Sequence, residues 1–316
     1  MTAMSLGAHG LGIANIAIDG TVLDTWYPNP ELTLNDDHPT TTQRTSAHNL
    51  SPEFLRLIGA DRDRLVETVP VHTTIADLDA PPIDAHDVYL RLHLLSHRLV
   101  EPLTINLDGA LNHLTPVAWT NKGPCLPHNF ETVRTNLRAR GPIHVYGIDR
   151  LPRMVDYVVP TGITITEAER VRLGAHLAEG TTVVREGYIS YNAGTLGPAR
   201  IEGTISSAVT VGAHTTLARS TALIATPTNN NALARQPMRI GANCHLHPTA
   251  SINGITLGNN CDIGAGITLE PHTRIFDPAT GEDFPAGKLT GRNNLRIQHE
   301  PYTTAPVLRP AETTRT

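Results

Sequence analysis

Residues 171–201 read VRLGAHLAEGTTVVREGYISYNAGTLGPARI, and from Val171 every sixth position is an anchor: Leu177, Val183, Ile189, a weaker Thr195, then Ile201. A six-residue period matches neither the 3.6 of an amphipathic helix nor the two-fold alternation of a half-buried strand. It matches short flat strands joined by tight turns, three hexads to a triangular rung. Each rung then buries its anchors only by stacking on the next. A sandwich with regular turns would place its signals ~8–12 residues apart, and that spacing is absent.

Outward from this stretch the phase slips by four and resumes at Ile205, Val211, Leu217 and Leu223. It returns at Ile240, Leu246 and Ile252, slips by one, and closes with Leu257, Ile263, Leu269 and Ile275. The residue four after an anchor is often small, as at Ala175, Thr181, Ala193, Thr215, Thr221, Cys244, Ala250, Cys261 and Thr273, which suits a tapering corner. Gly212, Gly241, Gly258 and Gly264 follow their anchors directly and are expected to serve turns that need φ > 0. Between Leu223 and Ile240 the chain is polar, turn-rich and off-period, so it is expected to leave the coil as a loop. Hexapeptide coils of this kind are left-handed, an exception to the usual crossover rule.

The first half has ordinary patterning. A hairpin is expected through Asp19-Gly20, a short helix from a Ser51 cap with Pro52 inside and Gly59 after it, and a strand over Val69–Ile75. Asp84 is placed to cap a helix through Val88, Leu92 and Leu95, with Arg91 and Arg98 on its other face. A second helix is expected from Asn129 to Arg140, followed by a strand from Ile143 to Ile148. The expected fold class is therefore an α+β N-terminal region followed by a left-handed parallel β-helix. Its parts are an α/β domain over 1–125, a linking helix–strand segment over 126–165, the β-helix over 166–276 and an extension over 277–316. Beyond Glu300 the Pro- and Thr-rich end has the composition of a disordered tail.

Bulk properties exclude some partners. A net charge of −5 leaves no electrostatic footprint for nucleic acid. No apolar run approaches the ~18 residues of a membrane span, and the N-terminus lacks the basic start and apolar block of a signal peptide. Three cysteines without a C-x-x-C pair indicate neither a disulfide framework nor a zinc site. A cytoplasmic protein is the expectation.

Several longer blocks carry a resemblance. Tyr89-Leu90-Arg91-Leu92-His93-Leu94-Leu95-Ser96-His97-Arg98, Trp119-Thr120-Asn121 with Gly123-Pro124-Cys125, Arg153-Met154-Val155-Asp156-Tyr157-Val158-Val159-Pro160 and Glu186-Gly187-Tyr188-Ile189-Ser190-Tyr191-Asn192-Ala193-Gly194-Thr195-Leu196-Gly197 are the main ones. In them the chain resembles the actinobacterial type of tetrahydrodipicolinate N-succinyltransferase. The resemblance implies a homotrimer with active sites between adjacent β-helices and succinyl-CoA as donor. It also implies an amino-dicarboxylate acceptor, the acyclic 2-amino-6-oxopimelate, in lysine and diaminopimelate biosynthesis. The family's catalytic glutamate, in a Val-Glu-Gly-Arg-Ile-Ser segment, falls on Glu202. The glycine whose N–H is implied in oxyanion stabilisation falls on Ala225. Gly203, Ser206, Arg219, Ser220 and Asn192 are the implied substrate and CoA contacts. Glu169 and Glu186 take the place of an acidic pair holding Mg²⁺ or Ca²⁺ near the trimer axis.

The chemistry suits these residues. Acyl transfer from a thioester needs a free amine, a group to take its proton and donors for the developing oxyanion. Glu202 fits the proton acceptor, and carboxylates favour Mg²⁺ or Ca²⁺ over softer metals. His176, His214, His245 and His247 are weighed as bases and read as structural or surface residues. Arg219, Arg235, Arg239, Arg292 and Arg296 are candidates for carboxylate or phosphate contacts. The chain departs from the family where a Gly-rich run becomes Ala218-Arg219-Ser220-Thr221-Ala222. A donor at Ala225 survives the change from glycine only if φ is negative there. A diverged relative with another acyl donor or acceptor, and a non-catalytic trimer, stay open at this level.

Overall fold

The computed structural model describes residues 5–34, 39–46, 48, 51–228, 231–301, 303 and 305–309. The chain divides into two compact units, Met1–Val100 with Thr104–Val159, and Glu101–Leu103 with Pro160–Thr316. The linking segment expected over 126–165 is divided between them, residues 126–159 clustering with the first unit and 160–165 with the second.

In the first unit the strand Leu6–Ala17 pairs antiparallel with Val66–Ile75 and with Val22–Trp26. The turn between Leu6–Ala17 and Val22–Trp26 runs through Asp19-Gly20, with Gly20 at φ 87°. Asp84 caps the helix Ala85–Ser96 by accepting from the Asp87 N–H at 2.8 Å. Arg91, expected on the helix face opposite Val88, Leu92 and Leu95, does not face solvent. It is fully buried, paired through Nε with Asp87 Oδ1 at 2.6 Å, and its Nη1 donates to the carbonyls of Leu78 and Asn106, each at 2.8 Å. A guanidinium so satisfied can be enclosed. Arg98 lies beyond the helix, in left-handed backbone at φ 63°.

The helix Phe130–Arg138 packs Val133 and Leu137 inward, and Val145–Asp149 pairs antiparallel with Val117–Thr120. The helix expected after Ser51 is only a 3₁₀ turn, Phe54–Leu57, with no side-chain cap and no buried residue. Ser51 Oγ bonds the Glu53 carboxylate instead of a backbone N–H, and with none of its apolar side chains fully buried, one turn is not extended.

The second unit is a stack of short strands that visit three parallel sheets in rotation. The first face holds Thr164–Ile165, Thr182–Val183, Ala199–Ile201, Thr215–Leu217, His245–Leu246 and Asp262–Ile263. The second runs from Tyr188–Ile189 through Thr204–Ile205, Ala222–Ile224 and Ser251–Asn253 to Thr268–Leu269. The third holds Ala175–Leu177, Ala193–Thr195, Val209–Val211 and Met238–Ile240. Every anchor from Val171 to Ile275 is buried, Thr195 included. The register carries the phase slips. Ala175 lies opposite Ala193, eighteen residues on, but Thr204 lies opposite Tyr188, only sixteen on.

The glycines after the anchors have a different reason from the one expected. None of Gly212, Gly241, Gly258 and Gly264 has positive φ. A Cβ on Gly212 would lie 2.6 Å from the backbone of Gly241, and one on Gly241 would lie 2.4 Å from the backbone of Gly258. They are glycines because successive rungs touch there. The left-handed positions form another column, three residues after the anchors, at Gly174, Gly180, Glu186, Asn192, Ala208, His214, Ser220, Asn243, Thr249, Asn260 and Gly266.

Between Leu223 and Ile240 the chain leaves the coil as an antiparallel hairpin, Pro227–Thr228 with Asn231–Arg235. The tail forms a strand. Val307–Arg309 pairs antiparallel with Arg296–Gln298, and Val307 is buried, while residues 310–316 lie outside the described residues.

Candidate active site at a shortened corner

Five residues normally separate the anchors where the chain turns from the first face to the second, as between Val183 and Ile189 or Leu217 and Leu223. Between Ile201 and Ile205 there are three: Glu202, Gly203 and Thr204. This corner lacks the left-handed residue that the rungs on either side place at Glu186 and Ser220. Gly203 is obligatory there, because a Cβ would stand 1.9 Å from Thr221 Oγ1 and 2.6 Å from Thr221 O. The four-residue phase slip in the sequence is this corner.

Glu202 is fixed at both ends. Its N–H donates to Leu217 O at 2.9 Å, and its carboxylate takes Arg200 through Nη2 at 2.6 Å and Nε at 2.9 Å. The Glu202 side chain is 24% exposed and that of Arg200 53%, so the pair is accessible. Arg200 was missed in the sequence, although two residues' separation at a strand edge puts both side chains on one face.

Ser206 and Ala225 meet on the second face. Ala225 is fully buried and is not among the positive-φ residues, so its methyl group is unstrained. Its N–H donates to Ser206 Oγ at 3.0 Å, and its carbonyl accepts from Arg235 Nη1 of the hairpin at 3.2 Å. Asn192, left-handed at φ 49°, accepts the Leu103 N–H on its side-chain oxygen at 2.9 Å. Arg219 and Ser220 are exposed on the corner one rung beyond Glu202.

Glu169 and Glu186 are both exposed. Glu167, which the sequence reading passed over, collects Arg170 at 2.6 Å, Arg185 at 3.5 Å and the Glu186 N–H at 3.4 Å. Among the described residues no three metal-ligating side chains converge. Among the described residues Glu169 and Glu186 supply two exposed carboxylates, short of the six to eight oxygens that calcium takes. His245 and His247 stack at 4.3 Å, His247 Nε2 lies 3.4 Å from Asp262, and His214 occupies a left-handed corner position. No hydrogen bond joins any of these three to Glu202 among the described residues.

These features define a repeat-built protein of three parallel faces, with one shortened corner that displays an arginine-held carboxylate. Comparison with known proteins makes the class more specific. A family model described as tetrahydrodipicolinate N-succinyltransferase, middle, matches residues 114–153. A 2,3,4,5-tetrahydropyridine-2,6-dicarboxylate N-succinyltransferase of Salinispora tropica is 47% identical over 211 residues, 65% of this chain and 64% of that protein. One of the same name from Pseudomonas aeruginosa is 38% identical over 214 residues, 67% of this chain and 61% of that protein. The matched stretches thus span under two thirds of these relatives' lengths. A provisionally named 2,3,4,5-tetrahydropyridine-2-carboxylate N-succinyltransferase from Campylobacter jejuni, a crystal structure, aligns with a TM-score of 0.81. It is 22% identical and covers 96% of this chain and 92% of its own, which establishes the shared fold. The resemblance to the tetrahydrodipicolinate N-succinyltransferases is borne out.

Proposed function

We propose that this chain is an acyl-CoA-dependent N-acyltransferase that moves a succinyl group from succinyl-CoA to the amine of 2-amino-6-oxopimelate, the open form of tetrahydrodipicolinate. The observation that carries the reading is the shortened corner with Glu202 at its tip, in a chain 47% identical over 211 residues to a protein named for this reaction. In the reaction the amine nitrogen attacks the thioester carbonyl, the C–N bond forms and the C–S bond breaks. Glu202 takes the amine proton, and the departing thiolate is protonated to free CoA. Arg200 holds the carboxylate in one orientation until substrate arrives. The Ala225 N–H, tied to Ser206, donates to an oxyanion only if that bond is exchanged.

The same reading takes the coil as left-handed and the active protein as a homotrimer in which a neighbouring coil completes the site. An ion at Glu169 and Glu186 belongs to it too. Copies around an axis would multiply the carboxylates, and Mg²⁺ or Ca²⁺ would offset their repulsion.

The test is release of CoA thiol with succinyl-CoA and tetrahydrodipicolinate, for the wild type, Glu202→Ala and Ala225→Gly. Turnover in the wild type that falls by about a hundredfold or more in Glu202→Ala is expected. Wild-type turnover no greater than that of Glu202→Ala ends the proposal. Ala225→Gly is expected to give no gain, since the alanine is unstrained and its N–H is already engaged.

A further inference from the structure

The chain's only two tryptophans, Trp26 and Trp119, line one cavity of about 450 Å³ built wholly from the first unit. That volume lies within the range of small-molecule sites. Both indole N–H groups are engaged elsewhere: Trp26 Nε1 donates to Tyr157 O at 3.2 Å and Trp119 Nε1 to Asp149 O at 2.9 Å. Their contribution to the lining is therefore apolar ring surface.

Five charged residues share this lining, Asp24, Arg64, Lys122, Arg153 and Asp156, and two of opposite sign are at least nine-tenths buried: Asp24 is 3% exposed and Arg64 9%. Asn15 stands between them, giving Nδ2 to Asp24 Oδ1 at 2.7 Å and accepting Arg64 Nη1 at 3.3 Å. Asp24 Oδ1 also takes the Asn15 N–H at 3.3 Å, while Oδ2 takes, among the described residues, only the Tyr157 hydroxyl, at 2.5 Å. One acceptor position on Oδ2 is left open. Arg64 gives Nε to Asp61 at 2.8 Å and Nη1 to Asn15 and to Pro124 O, the latter at 3.4 Å. Its Nη2 has no partner among the described residues. Gly123 makes room for this guanidinium, since a Cβ there would stand 2.4 Å from Nη1. Gly123 and Trp119 both come from the stretch that the family model matches.

A buried carboxylate and guanidinium that share one amide, beside aromatic walls, suit a ligand carrying both charges. A bare anion would be repelled by Asp24, and a bare amine would leave Arg64 Nη2 unpaired. We infer that this cavity binds a free α-amino acid with an apolar or aromatic side chain. Its ammonium donates to Asp24 Oδ2, its carboxylate accepts from Arg64 Nη2, and its side chain lies against the tryptophan rings.

Because Trp26 and Trp119 are the only tryptophans, indole fluorescence of the full chain reports this cavity directly. Titration with L-phenylalanine and with L-leucine is expected to give a saturable change. Phenethylamine and 3-phenylpropionate, each lacking one charge, should bind at least about tenfold more weakly, as should L-phenylalanine to Asp24→Asn. Thermal unfolding of Asp24→Asn checks that it is folded, and the two controls on wild type carry the test if it is not. No saturable change up to about 10 mM, or equal binding of the singly charged controls, overturns the inference.

Discussion

Arg200 and Glu202 hold one another across the outer edge of a strand, and an exposed pair of this kind adds at most about 1 kcal/mol to folding. Its proposed role is to orient the Glu202 carboxylate. Arg200→Met is therefore expected to leave thermal stability nearly unchanged while lowering kcat/KM by about tenfold or more, with Arg200→Lys recovering part of the loss. Steady-state kinetics decides this, and equal activity in Arg200→Met and wild type would show the pair to be decorative. Gly203 behaves in the opposite way. Its missing Cβ is filled by Thr221 Oγ1 and O, so Gly203→Ala should cost about 1–3 kcal/mol from overpacking, read as a lower Tm. The two substitutions separate chemistry from scaffold at adjacent positions.

At the scale of elements, the column of left-handed corner residues and the buried helix each carry a prediction. Thr249 is β-branched at φ 63°, the least suited of the corner residues to that backbone. Thr249→Asn should raise stability by about 0.5–1 kcal/mol, measured by thermal unfolding. In the helix Ala85–Ser96, His93 is fully buried, accepts the Tyr27 N–H at 3.3 Å and donates Nδ1–H to Tyr89 O at 2.7 Å. Burial holds its pKa down to about 3. The folded chain keeps His93 neutral, whereas the unfolded chain takes up the proton below about pH 6.5. Stability from this residue is therefore intact above about pH 6.5 and lost progressively as pH falls toward 3. The slope of Tm between pH 6.5 and 4.5 should be shallower in His93→Gln; an unchanged slope would assign the acid sensitivity elsewhere. The helix itself was legible from the Asp84 cap and its apolar spacing. The burial of Arg91 was not, because the carbonyls of Leu78 and Asn106 that satisfy it lie on other segments.

Across the whole molecule, the six-residue period was the most readable feature, because one side-chain column fills the axis of the coil and each anchor obeys the same local demand. The phase slips were equally visible, and one of them is the corner that bears Glu202. Less legible was the reason for individual glycines, since the contact of Gly212 with Gly241 joins residues on separate rungs. The candidate site divided in the same way. Glu202 is a candidate through the resemblance of its segment alone, while the engagement of Ala225 by Ser206 and Arg235 needed the coordinates. Assembly is a prediction at this scale: light scattering at micromolar concentration should return three chain masses, and a monomer would contradict the proposed site between coils.

The hairpin between Leu223 and Ile240 has one more consequence. A rung bonds only to its neighbours, so the coil is a one-dimensional chain of couplings whose cooperativity is only as strong as its thinnest link. Where the hairpin enters, Val211 must wait twenty-nine residues for Ile240, against sixteen to its partner rung before. That closure costs more in entropy than the one before it, and the pairing of Asp262 with Arg296, thirty-four residues on, costs more still. Amide exchange should accordingly resolve two protection blocks that meet at this junction, the coil behaving as two foldons soldered end to end.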